Sequence, residues 1–240
     1  MAAEPHAAGS PQSRAVADYL AATLKEWGLQ AQIEEFEALL PYPTQRSLEM
    51  VAPVRYRAKL QEPVVSEDVV VNPNSTLKNV IVYIKEGLGT KTFPPPTQPA
   101  VLNQNGCMFE PHVLPILVGQ ELQIVNSDST FHNVHSMSKA NLGFNVAQTG
   151  KGMKLSKKFS SPEVFEIKCD VHQWMHSYVA VLTNPYYSVT GSDGSFTIKN
   201  LPAGDYTIEA WQEKLGPQPA KVTVGATGSS TVDFTFKSHS

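Results

Sequence analysis

Two sulfurs and a group of imidazoles near the middle of the chain are the residues best suited to chemistry. Cys169, His172 and Met175 follow one another at intervals of three, so one tight loop between two strands can turn them toward a common point. His132 lies far upstream and would have to come from a distant strand. A thiolate, two imidazoles and a thioether form a soft nitrogen and sulfur donor set, which favours copper in an electron-transfer site.

Two other interpretations of the same residues stay open. A zinc site would usually use more cysteine or histidine ligands and no methionine. Alternatively, Cys169 is a buried thiol and the histidines are unrelated surface residues. The spacing after Cys169, together with the upstream Asn126-x-Asp128 and His132-Asn133, favours the copper interpretation.

Other residues near these positions could replace or supplement the four ligands. The candidate alternative ligands are Cys107, His112, His135 and His176. His135 lies three residues beyond His132, so on a strand its side chain points to the opposite face and a solvated histidine is the simpler interpretation. Cys107 and His112 could form a second soft metal site, or Cys107 could lie near the copper pocket, but a buried small thiol is the more ordinary interpretation.

Three large apolar residues could surround the edge of His172. Met108, Phe131 and Trp174 could form an exposed apolar patch there, the kind of surface on which a redox partner docks. The same residues could equally be part of a core. The sequence alone leaves both interpretations open.

Residues 98–183 resemble the cupredoxins, and the amicyanin type most closely. The matching motifs are FEP at 109–111, VGQEL at 118–122, VNSD at 125–128, HNVH at 132–135 and C-x2-H-x2-M from Cys169. The resemblance implies a Greek-key β-sandwich with one copper ion. It assigns His132, Cys169 and His172 as equatorial ligands and Met175 as the axial ligand. It also implies that Asn133 ties the two ligand loops together.

The same resemblance implies a function. A type 1 copper protein carries single electrons between redox partners, such as a cytochrome or an oxidoreductase, and it is not an enzyme because its copper positions are filled. Copper storage, or a carbohydrate- or partner-binding module without a redox role, is the alternative. Val171 and Gln173 stand where the family often has prolines, which affects hydrogen bonding at the sulfur. A periplasmic or extracellular location is expected, although the first residues lack the layout of a secretory signal.

The C-terminal part resembles the carboxypeptidase-regulatory-like, or transthyretin-like, domain. The resemblance is carried by TGSDGSF at 190–196 and LPAGDYTIEA at 201–210. Residues 184–238, with strand candidates that include 196–199 and 231–236, contain too few strands for a complete sandwich. Residues 63–97 are predicted to supply the missing strands, which makes this domain discontinuous around an inserted cupredoxin domain at 98–183.

Residues 1–62 are predicted to form a separate helix-strand segment. A helix should begin at Pro11 and end near Gly28, and a strand should follow at 29–36. Residues 12–62 resemble the N-terminal part of metallopeptidases of the glutamate-carboxypeptidase type. No catalytic carboxylate set follows this segment, so peptidase activity is not expected.

Composition agrees with a mainly β chain. Only 17% of the 240 residues are charged, while 18 prolines and 15 glycines suit strands and turns. A net charge of −3 argues against a nucleic-acid partner, because binding to phosphates needs clustered positive charge. No apolar run is long enough for a membrane span. The predicted fold is a cupredoxin sandwich plus a second immunoglobulin- or transthyretin-like sandwich, preceded by a short α+β segment.

Overall fold

A computed structural model describes residues 11–33, 48–50, 56–58 and 66–237. The chain divides into two compact units, Met1–Val65 and Ser66–Ser240. The first unit contains the helix α1 (Pro11–Glu26) and two short strands, β1 (Leu48–Met50) and β2 (Tyr56–Ala58), which pair antiparallel. The helix begins at Pro11 as predicted, since proline lacks only a hydrogen bond that the first turn does not use.

The strand predicted at 29–36 is wrong over the residues of it that the structure describes. Residues 29–33 are irregular instead of the first part of a strand, and residues 34–36 lie outside the described part of the chain. Gly28 ends the helix with a φ of 78°, a left-handed conformation that glycine adopts without steric cost. Alternating apolar residues after Gly28 suggested a strand, but a strand also needs a neighbouring strand to pair with, and the alternation gives no information about one.

The second unit is built from strands. In chain order they are β3 (Ile81–Glu86), β4 (Ala100–Asn105), β5 (Met108–Glu110), β6 (Val113–Leu117), β7 (Glu121–Asn126), β8 (His132–Ser136), β9 (Asn145–Gln148), β10 (Lys154–Lys158), β11 (Glu163–Lys168), β12 (His176–Leu182), β13 (Tyr187–Val189), β14 (Gly204–Gln212) and β15 (Gly216–Val224). They form three sheets. The first has the order β10-β7-β4-β5, the second β6-β12-β11-β8-β9 and the third β13-β3-β14-β15.

The first two sheets enclose the main hydrophobic core. Leu102, Leu122 and Ile124 from the first sheet share one buried cluster with Val179 and Val181 from β12 of the second. Strand residues alternate between faces, so the intervening Ala180 and Leu182 project from the other face of the second sheet. This arrangement is a β-sandwich, and the mainly β fold class predicted from the sequence is confirmed.

The third sheet packs against that other face. Ile81 of β3 joins Ala180 and Leu182 in a second buried cluster, whereas Val82 and Ile84 belong to a third cluster on the far side of β3. The second sheet is therefore covered on both faces, which explains why β12 reads as a nearly continuous apolar run.

The third sheet combines segments from both ends of the second unit. β3 pairs antiparallel with β14, and Ile84 lies opposite Ile208, so residues before and after the predicted cupredoxin segment share one sheet. The domain boundaries 63–97, 98–183 and 184–238 stay a prediction.

Two strand candidates were wrong. Residues 196–199 and 231–236 have no strand structure, although Phe196 and Phe234 pack on the third cluster with their ring centroids 6.1 Å apart. Their alternating apolar residues indicated burial correctly. Burial of alternate side chains does not require the backbone to join a hydrogen-bonded ladder.

Replacing Ile81 with alanine should destabilise the second unit by roughly 2–5 kcal/mol, because the side chain is fully buried between the second and third sheets. Urea denaturation followed by circular dichroism measures this loss. Val101→Ala is the control, since Val101 is exposed on β4 and should change the free energy of unfolding by about 0.5 kcal/mol or less. Equal effects of the two substitutions would contradict the packing described here.

Candidate metal centre

The loop between β11 and β12 holds three of the predicted ligands in one turn. The backbone N–H of Cys169 donates to the carbonyl of Met175 at 2.9 Å, and the N–H of Met175 donates to the carbonyl of His172 at 2.8 Å. These two bonds close the loop on itself. Cys169 and Met175 are both buried in the main core, so the loop is anchored from inside.

His132 reaches the same place from β8, a strand of the same sheet. Its Nδ1 lies 3.0 Å from Nδ1 of His172, and the Cys169 Sγ lies 3.7 Å from that same His172 nitrogen. The structure thus brings His132, Cys169 and His172 together and places Met175 in one core cluster with Cys169. Two facing imidazole nitrogens beside a thiol form a donor set that fits copper.

Asn133 connects the two segments that carry these side chains. Its Oδ1 accepts from the Asp170 backbone N–H at 2.7 Å and from the Cys169 thiol at 3.3 Å. Its Nδ2 donates to Asp170 Oδ2 and to Asn145 Oδ1, both at 2.8 Å. The side chain therefore joins β8 to the residues around the thiol, in the position where the sequence resemblance placed such a tie.

Asp128 is part of the site, although the sequence did not suggest a role for it. Its carboxylate lies 2.9 Å from Nε2 of His132 and accepts the backbone N–H groups of Gly106 and Cys107 at 2.7 and 2.9 Å. Burial raises the pKa of Asp128, but these hydrogen bonds outweigh it and lower the pKa. An ionised Asp128 holds the ring proton of His132 on Nε2, which leaves Nδ1 free to face His172.

The surroundings of His172 favour the neutral form of its ring. Burial lowers its pKa first, and the neighbouring His132 lowers it further, while Asp128 acts weakly in the opposite direction. A lowered pKa favours the neutral ring, which is the form that binds metal ions.

Cys107 lies at the site as well. Its thiol and the rings of His132 and His172 offer ligand atoms that all lie within 4.8 Å of one another. Burial raises the pKa of Cys107, and the charges of Asp128 and Cys169 raise it further. The structure therefore supports the interpretation that Cys107 lies near the copper pocket, with a thiol that retains its proton more firmly than usual.

The remaining candidate ligands lie elsewhere. His135 has its Nδ1 3.1 Å from Asp170, on the opposite face of β8 from His132 as the strand spacing predicted. His112 and His176 belong to a separate group with Glu213. Nothing in the sequence pattern pointed to Glu213.

Of the three apolar residues predicted to surround the edge of His172, Phe131 and Trp174 are exposed, and Trp174 contacts the ring. Phe131 is 41% and Trp174 37% exposed, while Met108 is only partly buried. The Trp174 ring centroid lies 5.4 Å from that of His172, and its Nε1 donates to the Cys107 carbonyl at 3.1 Å. The exposed Trp174 ring therefore lies against the half-buried ring of His172.

Replacing Asn133 with alanine should destabilise the second unit by about 1–3 kcal/mol, because the buried Cys169 thiol and the half-buried backbone N–H of Asp170 would lose their shared acceptor. Urea denaturation measures this change. Asn145→Ala is the matched control, since Asn145 is exposed in the same network and should cost less. A larger loss for Asn145→Ala than for Asn133→Ala would contradict the role given to Asn133.

Comparisons with known proteins cover parts of the chain. The carboxypeptidase regulatory-like domain model matches residues 178–237. No curated protein is significantly similar in sequence. Among the described residues, no helix has the length and apolar character to cross a bilayer.

The chain is also similar to solved cupredoxin structures. The copper-containing nitrite reductase of Thermus scotoductus SA-01 is 23% identical over 40% of this chain and 25% of that one, with a TM-score of 0.35. A purple cupredoxin from Nitrosopumilus maritimus is 23% identical over 35% and 99%, with a TM-score of 0.31. Amicyanin from Paracoccus versutus is 18% identical over 42% and 97%, with a TM-score of 0.33.

These matches are partial. The chain spans about a quarter of the length of the nitrite reductase chain that it matches. The likeness in each case is one of fold and carries no functional conclusion. The carboxypeptidase regulatory-like domain model thus matches the C-terminal part of the chain at 178–237, and the solved structures similar to the chain include a cupredoxin and an amicyanin.

Proposed function

We propose that this protein binds one copper ion and carries single electrons between redox partners. The observation that carries the proposal is that His172, in the loop between β11 and β12, lies close to both His132 of β8 and the Cys169 thiol. His132 and His172 face each other through Nδ1 at 3.0 Å, and the Cys169 thiol lies 3.7 Å from His172. Such a set of two imidazoles and a thiolate, near a thioether, favours copper over harder cations.

Copper held by these residues would supply one-electron transfer between its Cu(I) and Cu(II) states. His132, Cys169 and His172 would hold the ion, together with the thioether of Met175. This assignment rests on the donor types and on their shared location. The alternative of a zinc site is less well supported, because thiolate and thioether sulfur prefer softer copper.

The surrounding residues support electron transfer because they keep the ligands in place. Asp128 orients His132, Asn133 ties the Cys169 loop to β8, and the buried Cys169 and Met175 are packed in the core. A cage that hardly moves on oxidation or reduction lowers the cost of exchanging an electron. The same packing keeps water away from the sulfur side of the site.

The apolar edge beside His172 supports a protein partner. Trp174 is exposed against this ring, and Phe131 and Val171, which are next in sequence to His132 and His172, are exposed as well. This exposure suits transient docking of a cytochrome or an oxidoreductase. In this proposal the chain has no enzymatic activity of its own, including peptidase activity. A periplasmic or extracellular location is part of the proposal, and carbohydrate binding by the regulatory-like domain stays a prediction.

Copper storage or delivery is the second candidate, and Cys107 favours it. A second sulfur within 4.8 Å of the two imidazoles could join a Cu(I) site, because Cu(I) prefers sulfur donors. The two candidates differ in whether Cys107 matters for metal binding. They also differ in whether the Cu(II) form is stable.

Cys169→Ser should abolish the intense visible band that a thiolate gives when it binds Cu(II), because serine cannot supply that sulfur. The purified full-length protein should take up one equivalent of Cu(II) and show the band, measured by visible absorption spectroscopy. Cys107→Ser is the matched control and should keep the band. Far-UV circular dichroism of each variant checks that the fold is retained.

A different pattern would refute the electron-carrier proposal. A folded, colourless wild-type protein that binds only Cu(I), with affinity reduced by both cysteine substitutions, would support storage instead. A folded protein that binds no copper would exclude both candidates.

A further inference from the structure

A second group of ligand-type side chains lies where the second and third sheets meet. His112 lies between β5 and β6, His176 is the first residue of β12, and Glu213 is in the turn between β14 and β15. Their ligand atoms all lie within 4.8 Å of one another. Three segments that are distant in sequence therefore converge, and the copper proposal uses none of them.

The two rings present the same edge to the carboxylate. Nε2 of His112 lies 2.6 Å from Oε2 of Glu213, and Nε2 of His176 lies 3.5 Å from Oε1. Asp68 contributes a second carboxylate, with Oδ1 3.0 Å from the same His176 nitrogen. Two imidazole nitrogens and the Glu213 carboxylate thus surround one small volume, and Asp68 approaches it from the side of His176.

Nε2 is the nitrogen of His176 that faces this volume. Its Nδ1 lies 3.2 Å from the carbonyl of Trp174, which can only accept, so that nitrogen donates. Nε2 faces the oxygens of Glu213 and Asp68 and is therefore the nitrogen through which the ring could bind a metal ion.

Burial makes this arrangement costly without a cation. The side chains of His112 and Glu213 are 2% and 1% exposed, and that of His176 is 16% exposed. Nδ1 of His112, Nε2 of His176 and Oε1 of Glu213 are buried without a hydrogen-bond partner. Buried polar atoms are rarely left unpaired, because each costs free energy.

The charge around the group is negative. Burial raises the pKa of Glu213, but His112 and His176 reverse this and lower it to about 2, so the carboxylate is ionised at neutral pH. Glu67 and Asp68 add carboxylates, with Glu67 3.6 Å from Nδ1 of His112. Lys214 is close to Asp68 and Glu213, at 3.4 and 3.8 Å, and offsets one of these charges.

We propose that His112, His176 and Glu213, together with Asp68, form a second metal site for a divalent transition ion that prefers nitrogen and oxygen donors, such as Zn²⁺. Two histidines with carboxylates are an established donor set for Zn²⁺. Glu67 beside Nδ1 of His112 and the Trp174 carbonyl beside Nδ1 of His176 are the outer partners that orient such ligands. The site differs from the copper centre in lacking sulfur.

The location gives the bound ion a structural consequence. Glu213 lies in the turn between two strands of the third sheet, whereas His176 begins β12 of the second sheet and His112 directly precedes β6 of that sheet. An ion held by all three would fasten the β14–β15 turn to the start of β12. Metal bound only to the folded protein raises its stability.

The test uses the whole chain with the copper centre disabled by Cys107→Ser, Cys169→Ser and His172→Gln, so that Zn²⁺ has no thiolate site there. Zn²⁺ alone is titrated into chelator-treated protein in competition with a chromogenic chelator. We expect one equivalent to bind and to raise the melting temperature. Adding Glu213→Gln removes a direct ligand. It should weaken Zn²⁺ binding by at least about 100-fold, because loss of a residue that only orients a ligand already costs about 10–100-fold.

Two further variants keep the test decisive. His112→Gln should weaken binding like Glu213→Gln, whereas His135→Gln, the matched histidine control outside the group, should leave binding unchanged. A folded parent that binds no Zn²⁺, or binding that Glu213→Gln and His112→Gln leave intact, would overturn the proposal. The visible copper band of the wild-type protein is measured separately, so either proposal can fail while the other stands.

Discussion

Burial of one strand on both faces is the constraint on which the second unit depends. β12 sends Val179 and Val181 into the core of the sandwich and Ala180 and Leu182 toward the third sheet. Its neighbours β6 and β11 pair with it along its length, β6 in parallel and β11 antiparallel. A strand held in this way cannot shift register without exposing one apolar set, so everything attached to its ends is fixed in position.

Both candidate metal groups are attached to the first residues of this strand. Met175 ends the loop that carries Cys169 and His172, and His176 begins β12. Consecutive residues of a strand point to opposite faces, so the side chains of Met175 and His176 enter different environments. Met175 lies in the sulfur-containing core, whereas His176 faces the carboxylates at the third sheet.

The chemical contrast between the two groups follows from these surroundings. Around Cys169 the packed residues are apolar, with the imidazoles and amide of β8 on one side. Around Glu213 the neighbours are histidines, carboxylates and Lys214, which lie close enough to one another to form ion pairs and hydrogen bonds. One rigid strand thus separates a soft donor set from a harder one over a short distance.

Two features could be predicted from the sequence because they depend on local geometry. One is the single loop that carries Cys169, His172 and Met175, and the other is the mainly β class indicated by alternating apolar residues. The tie through Asn133 followed from a family resemblance over the same residues. The approach of Cys107 and Asp128 to His132, and the convergence of His112, His176 and Glu213, depend on which strands lie side by side and in which register. Chain order does not encode those pairings locally, since residues as far apart as His112 and Glu213 meet only when three sheets pack together. Tertiary structure alone decided them.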